Sequence, residues 1–394
     1  MLSTLDNLRA LTWVYWSTDP DPEDLVDMAD FRNSRAFEDI RHRWPNLRYS
    51  VDGLKAKYIR TWFFSDIPVP VISCKLIEWR HWYYGKFDRS LKNSILLDTA
   101  LETLSISGAD RHATIRETDI DQCDQMPPIK ELSLHQFEWD YSVVAATTFW
   151  NWSNVSRLEL KEVPLKSFLQ TVAPSYLVHL KEFTTDGHYR HRSEREEITN
   201  LISILVLGIR ALQKLILTCY VGNDKIVAAV SKHGDTLHTL QLCVYHTIRQ
   251  RPMSDKPGHW PLNERQVESI GRACPHLTTL VLDYVPNGIT LPGWTRHGDN
   301  SIGGRRIPAL PGRDSALNEF RNLRRLTAYA WVCQWEPPPL ITYSEIGNAW
   351  LHRFVVAKKG APFESVELEV NVFGIFPNKI HLCIGIQKVN YRAD

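Results

Sequence analysis

The stretch Val267-Glu-Ser-Ile270-Gly-Arg-Ala-Cys274-Pro-His-Leu277-Thr-Thr-Leu280-Val-Leu282 decides the fold. In its first half, Val267, Ile270 and Ala273 recur at three-residue spacing, which puts them on one face of a helix. In its second half the period changes. Leu280 and Leu282 are two apart and point to the same side of a strand. Leu277 sits where the chain turns into that strand. One such segment cannot bury its apolar face alone, so it needs copies of itself as neighbours.

Copies are present. The phrase of an apolar residue, two others, an apolar residue, one other and an apolar residue returns along the chain. It occurs at Leu101–Ile106, Ile129–Leu134, Val155–Leu160, Leu212–Leu217 and Leu237–Leu242. Weaker versions start at Leu8, Leu180, Leu323 and Phe363. First anchors fall at positions 101, 129, 155, 180, 212 and 237. That spacing is close to the roughly 20–29 residues of leucine-rich repeats. Wider gaps before Leu277 and Leu323 imply insertions at about 245–263 and 286–315.

The linking segments read as helices. Ile198, Leu201, Ile202 and Leu205 share one helical face, as do Ile226, Val227 and Val230, and Gly234 stands where the second helix should stop. Asp21 and Pro22 suit the start of another helix. The expected fold class is α/β: a single leucine-rich-repeat solenoid over residues 1–394. Right-handed crossovers put a parallel sheet on its concave side and irregular helices on its convex side. A first strand is expected at Leu11–Trp16. A closing strand is expected where Ile380, Leu382, Ile384 and Ile386 alternate with other residues. Trp13, Tyr15 and Trp16 make the first edge strongly apolar. Something is therefore expected to cover it: upstream residues, a helical domain or a partner chain.

The opening stretch resembles the cysteine-containing leucine-rich repeat, and Asp235–Leu242 looks like the same unit without its cysteine. With the form Trp152-x-x-Val155-x-x-Leu158-x-Leu160 and the irregular spacing, the chain resembles fungal F-box-type leucine-rich-repeat proteins over about residues 1–370. The resemblance implies substrate recognition in a cullin-type ubiquitin ligase, with docking to the cullin adaptor through an F-box. No Leu-Pro-x-Glu-Leu helix of that kind is found here. In that reading an upstream segment or a separate subunit supplies the F-box. The alternative is a free-standing protein-interaction scaffold.

Composition narrows the function classes. At 394 residues the chain is too long for one ordinary core. Lys plus Arg is 46 and Asp plus Glu is 45, a net charge of +1, which gives no global attraction to nucleic acid or to an anionic membrane. The first residues do not read as a secretory leader, and no apolar run approaches the roughly 20 residues of a membrane span. The seven cysteines are scattered without a CxxC pair, so reduced thiols in the cytoplasm or nucleus are expected.

Catalytic patterns are not found, and the expectation is that the chain is not an enzyme and takes no cofactor or metal. No GxxxxGK[ST], HExxH, GxSxG or GxGxxG occurs. His188 and His191 lack partners at zinc-ligand spacing. Asp119, Asp121 and Asp124 lack the order of a calcium loop. Glu194, Glu196 and Glu197 suit the first turn of a helix. Cys274 has the place of a packed core thiol rather than a nucleophile. Trp79, Trp82, Tyr83, Tyr84 and Phe87 read as packing residues.

Residues between the anchors should point away from the core, onto an exposed strand face that suits a protein or peptide partner. Its expected contact residues are Glu131, His135, Arg157, Glu159, Lys161, Lys214, Gln241, Asp283, Arg325 and Glu367. Thr218 belongs to the same face. The mixed charges, with no aromatic and basic alternation, argue against single-stranded nucleic acid. Arg249 and Arg251 in one insertion and Arg305 and Arg306 in the next form a second, basic candidate contact region.

Overall fold

The computed structural model describes residues 10–14, 48–55, 71–77, 101–108, 117, 120, 124–186, 194–218, 224–243, 262–284, 316–333, 360, 363–373 and 381–384. It is an α/β structure, and within each of its compact units the strands pair in chain order. The chain groups into two compact units. The first runs through Leu180 and includes Glu194, and the second holds Lys181–Asp186 and everything from Arg195 onward.

In the first unit six strands pair in parallel: β1 Ala10–Val14, β2 Arg48–Lys55, β3 Val71–Ile77, β4 Thr103–Ser107, β5 Glu131–His135 and β6 Arg157–Lys161. The anchors stack in register. Leu104 stands beside Leu132 and Leu132 beside Leu158, while Ile106, Leu134 and Leu160 form the next row. All six are buried to 2% exposure or less, because a parallel sheet covered on one side needs a continuous apolar column there.

The turns into the strands are built alike. The N–H groups of Lys130 and Glu131 both donate to Glu102 O, and those of Ser156 and Arg157 both donate to Lys130 O. This device satisfies two backbone donors at each strand entry, where the first anchors Leu101, Ile129 and Val155 are buried.

Two short helices go beyond the sequence reading. Helix α1, Val143–Thr148, is poor in helix formers but is capped by Ser142, whose Oγ accepts from Ala145 N–H. Helix α2 is Leu165–Thr171. With β5 they enclose an aromatic core of Phe137, Trp139, Tyr141, Phe149, Trp150, Trp152 and Phe168, all buried. Trp139 lies edge-on to Tyr141 and to Phe168, with both ring-centroid distances 4.7 Å. Indole N–H groups are satisfied at Trp139, which donates to Thr171 Oγ1, and at Trp152, which donates to Ala146 O, each at 2.8 Å.

The second unit has parallel strands β7 Glu182–Thr185, β8 Lys214–Leu217, β9 Thr239–Leu242, β10 Thr279–Tyr284, β11 Arg325–Cys333 and β12 Ser365–Phe373. Phe183, Leu215, Leu240, Leu280, Leu326 and Val366 form one buried register column. The strand-entry device recurs. Paired N–H donors converge on Lys181 O, Gln213 O, His238 O, Thr278 O and Arg324 O. The final strand β13, His381–Ile384, closes this sheet where expected but pairs antiparallel with β12. Only residues 374–380 separate the two strands, and a parallel return needs a dozen or more.

Helices α3 Arg195–Gly208, α4 Asp224–Ser231 and α5 Glu264–Ala273 pack beside this sheet. Helix α5 starts earlier than its periodicity suggests, because Asn263 and Gln266 form a reciprocal capping box at 3.0 and 2.9 Å. The 245–263 insertion thus gives up its last two positions to the fold: Leu262 is buried and Asn263 caps the helix. The expected helix at Asp21 and the aromatic cluster at Trp79–Phe87 lie outside the described residues.

Gly234 does follow α4, but its reason is contact. A Cβ placed on it would stand 1.7 Å from the carbonyl oxygen of Ala273. Gly234→Ala is therefore expected to lower stability by about 1–3 kcal/mol, the usual cost of overpacking. Urea unfolding measures it, and an unchanged midpoint would show that the backbones do not meet this closely.

Candidate functional site

Strand alternation buries one set of side chains and presents the other. In the first unit the presented set forms three rows across β4, β5 and β6: Thr103, Glu131 and Arg157; Ser105, Ser133 and Glu159; Ser107, His135 and Lys161. All are half-buried or exposed. The predicted contact residues Glu131, His135, Arg157, Glu159 and Lys161 are therefore neighbours on one surface.

They form a network. Arg157 Nη1 lies 3.7 Å from Glu131 Oε2, and Lys161 Nζ lies 2.5 Å from Glu159 Oε1. Burial alone would raise the Glu159 carboxyl. The hydrogen bond and charge of Lys161, helped by Arg157 and Ser133, outweigh it and hold the carboxyl below its usual range. Such partly exposed pairs each contribute no more than about 1 kcal/mol to stability. Their larger effect is to hold long side chains in fixed positions.

The third row is the most ordered. Ser107 Oγ lies 3.3 Å from His135 Nδ1, and His135 Nε2 lies 3.7 Å from Glu162 Oε1. Glu162 and Gln136 occupy matching places just past β6 and β5, and both have left-handed backbones with φ of 51° and 50°. That conformation costs a non-glycine residue about 1–2 kcal/mol. It accompanies a 3.0 Å hydrogen bond from Gln136 Nε2 to Glu162 Oε2. Alternation along the strands could not reveal Gln136 or Glu162, because both lie beyond the strand ends.

A serine, a histidine and a carboxylate in line invite comparison with an acyl-transfer triad. Such chemistry also needs free N–H donors for the developing oxyanion. Two backbone donors beside the row are committed: Gly108 N–H to His135 O and Gln136 N–H to Lys161 O, each at 2.9 Å. The row's contacts fix the His135 ring at the surface.

In the second unit the presented residues include Glu182, Lys214, Thr239, Gln241, Thr279, Arg325, Thr327 and Glu367. Lys214 Nζ lies 3.5 Å from Glu182 Oε2, and Thr327 Oγ1 donates to Glu367 Oε2 at 3.3 Å. Arg325 shares the exposed Glu364 with Arg324, at 3.2 Å each. The hydrogen bonds from Arg324 and then Arg325 hold the Glu364 carboxyl below its usual range. Two predicted positions are corrected. Asp283 is only 6% exposed and Thr218 only 8%, so neither is an open contact residue. The backbone N–H of Thr218 donates to Thr185 O at 2.9 Å.

Other sequence candidates resolve simply. Cys274 is 1% exposed, and burial, reinforced by the charge of Asp235, pushes its thiol up to about 12, which makes it a packed core group. Glu196 and Glu197 lie in the first turn of α3. Among the described residues no group of three His, Cys, Asp or Glu side chains is placed to hold a metal, and no helix is long and apolar enough to cross a membrane. Arg249, Arg251, Arg305, Arg306, His188, His191, Asp119 and Asp121 lie outside the described residues.

No protein-family model matches the chain, and no curated protein matches it.

Proposed function

We propose that the chain is a leucine-rich-repeat protein that binds a protein partner across the presented faces of its strands. The observation that supports this most directly is the division of labour along the strands. In-register apolar columns are buried, while the intervening positions carry interlinked charged and hydroxyl side chains. A surface of fixed, alternating charges selects partners by electrostatic complementarity. Its mixed sign does not suit the uniform charge of a nucleic acid backbone. The chain's role is positioning, with no bond made or broken. The resemblance drawn from the repeat phrase extends the reading to substrate recognition in a cullin-type ubiquitin ligase.

Affinity capture with the wild-type chain and with Arg157→Glu/Lys161→Glu tests the reading. These side chains are 45% and 49% exposed, so losing both ion pairs costs the fold only about 1–2 kcal/mol. The expected result is a partner recovered by the wild type and reduced at least tenfold with the variant. Identical recovery by both would remove this face from the function. Recovery of a cullin adaptor supports the ligase role, and a partner set without it supports a free-standing scaffold.

A further inference from the structure

His233 stands just past α4 and is 2% exposed, yet both ring nitrogens are engaged. Nδ1 lies 3.2 Å from the backbone N–H of Leu212, and Nε2 lies 2.8 Å from Val206 O. These partners dictate the ring's chemistry. A backbone N–H can only donate, so Nδ1 must accept. A carbonyl can only accept, so Nε2 must carry the proton. The ring is therefore neutral, with one tautomer. It ties the end of α3 to the segment entering β8 and to the turn after α4.

We propose that His233 is an acid-sensitive latch: protonation of Nδ1 sets two N–H groups against each other and frees the joint between α3, β8 and α4. The surroundings offer no compensation. Burial pushes the imidazole below its ordinary range. The carbonyl of Val206 partly opposes this, and the neighbouring positive charge of Lys232 adds to it. Lys232 is itself held close, with its Nζ donating to Ile209 O at 3.1 Å and to Leu207 O. Other charged groups on the packed elements are Arg210 after α3, Lys214 on β8, Asp235 beyond the turn and Arg272 on α5. Among them all, the charge that acts on the ring is that of Lys232.

The direction follows from linkage. The folded pKa lies below the unfolded one, so the contribution of His233 is complete above the unfolded value of about 6.5. It is lost as pH falls below that value, by up to about tenfold in the unfolding equilibrium per pH unit, until the folded pKa is passed. Because β8 begins two residues after Leu212 and carries Lys214, the latch also holds part of the proposed binding face. That consequence rests on the binding reading, and the latch itself does not.

The test compares urea unfolding of the full chain and of His233→Gln at pH 7.5 and pH 5. Glutamine can accept from Leu212 N–H and donate to Val206 O without titrating. The expected result is a fall in wild-type stability with acid that exceeds the fall in the variant, by no more than about tenfold in the unfolding equilibrium per pH unit below about 6.5. Equal pH dependence in both would overturn the proposal. Imidazole NMR of the wild type provides an independent reading should the variant fold poorly. A His233 ring that stays in the Nε2–H tautomer at pH 6 supports the latch, and one that titrates near 6.5 overturns it.

Discussion

Leu280→Asp is expected to abolish the cooperative unfolding transition of the second unit. Leu280 is 3% exposed and lies in register between Leu240 and Leu326, whose side chains are equally enclosed. An aspartate there either ionises in an apolar column or stays protonated without a hydrogen-bond partner. Both outcomes cost several kcal/mol, to which the lost leucine packing adds. Against a typical domain stability of about 5–15 kcal/mol, that is enough to empty the native state. Leu280→Ala removes the same side chain without adding a charge and should cost about 2–5 kcal/mol. Circular dichroism during heating measures both. A normal transition for Leu280→Asp would mean that the column is not a core.

The second large effect is expected in the first unit at Trp139. Its ring, 1% exposed, meets Tyr141, Trp150, Trp152 and Phe168, with centroids between 4.7 and 6.1 Å away, and its N–H donates to Thr171. It joins α2, through Phe168 and Thr171, to the segment that follows α1, through Trp150 and Trp152. Trp139→Ala opens a large cavity and leaves Thr171 Oγ1 without its donor. The expected cost is about 3–5 kcal/mol, with most of the near-ultraviolet dichroism of the cluster lost. A variant within about 0.5 kcal/mol of wild type, with that dichroism retained, would show that the aromatic side chains do not form a common core.

Much of the architecture was legible because strand and helix periods are local properties. The phrase Leu277–Leu282 states by itself which side chains are buried, and the register columns follow from repeating it. The core position of Cys274 and the helical face of Ile226, Val227 and Val230 were readable for the same reason. The presented set was readable too, since alternation assigns Arg157, Glu159 and Lys161 to the side opposite Leu158 and Leu160.

Other features depended on contacts between residues far apart in the chain. Periodicity says that Asp283 alternates with buried leucines, yet it is itself only 6% exposed. Gln136 and Glu162 join the surface network through left-handed backbones past the strand ends, where no period applies. Gly234 is required by the Ala273 carbonyl of a later helix, not by its own turn. The aromatic core draws on seven side chains spread from Phe137 to Phe168; two-residue alternation links Phe137, Trp139 and Tyr141, but nothing local joins them to Phe149, Trp150, Trp152 and Phe168. The sequence by itself determined which face of each strand is apolar, because that follows from two-residue alternation. Only the tertiary structure decided which polar side chains meet, because such meetings depend on register, turn geometry and the neighbour that packs above.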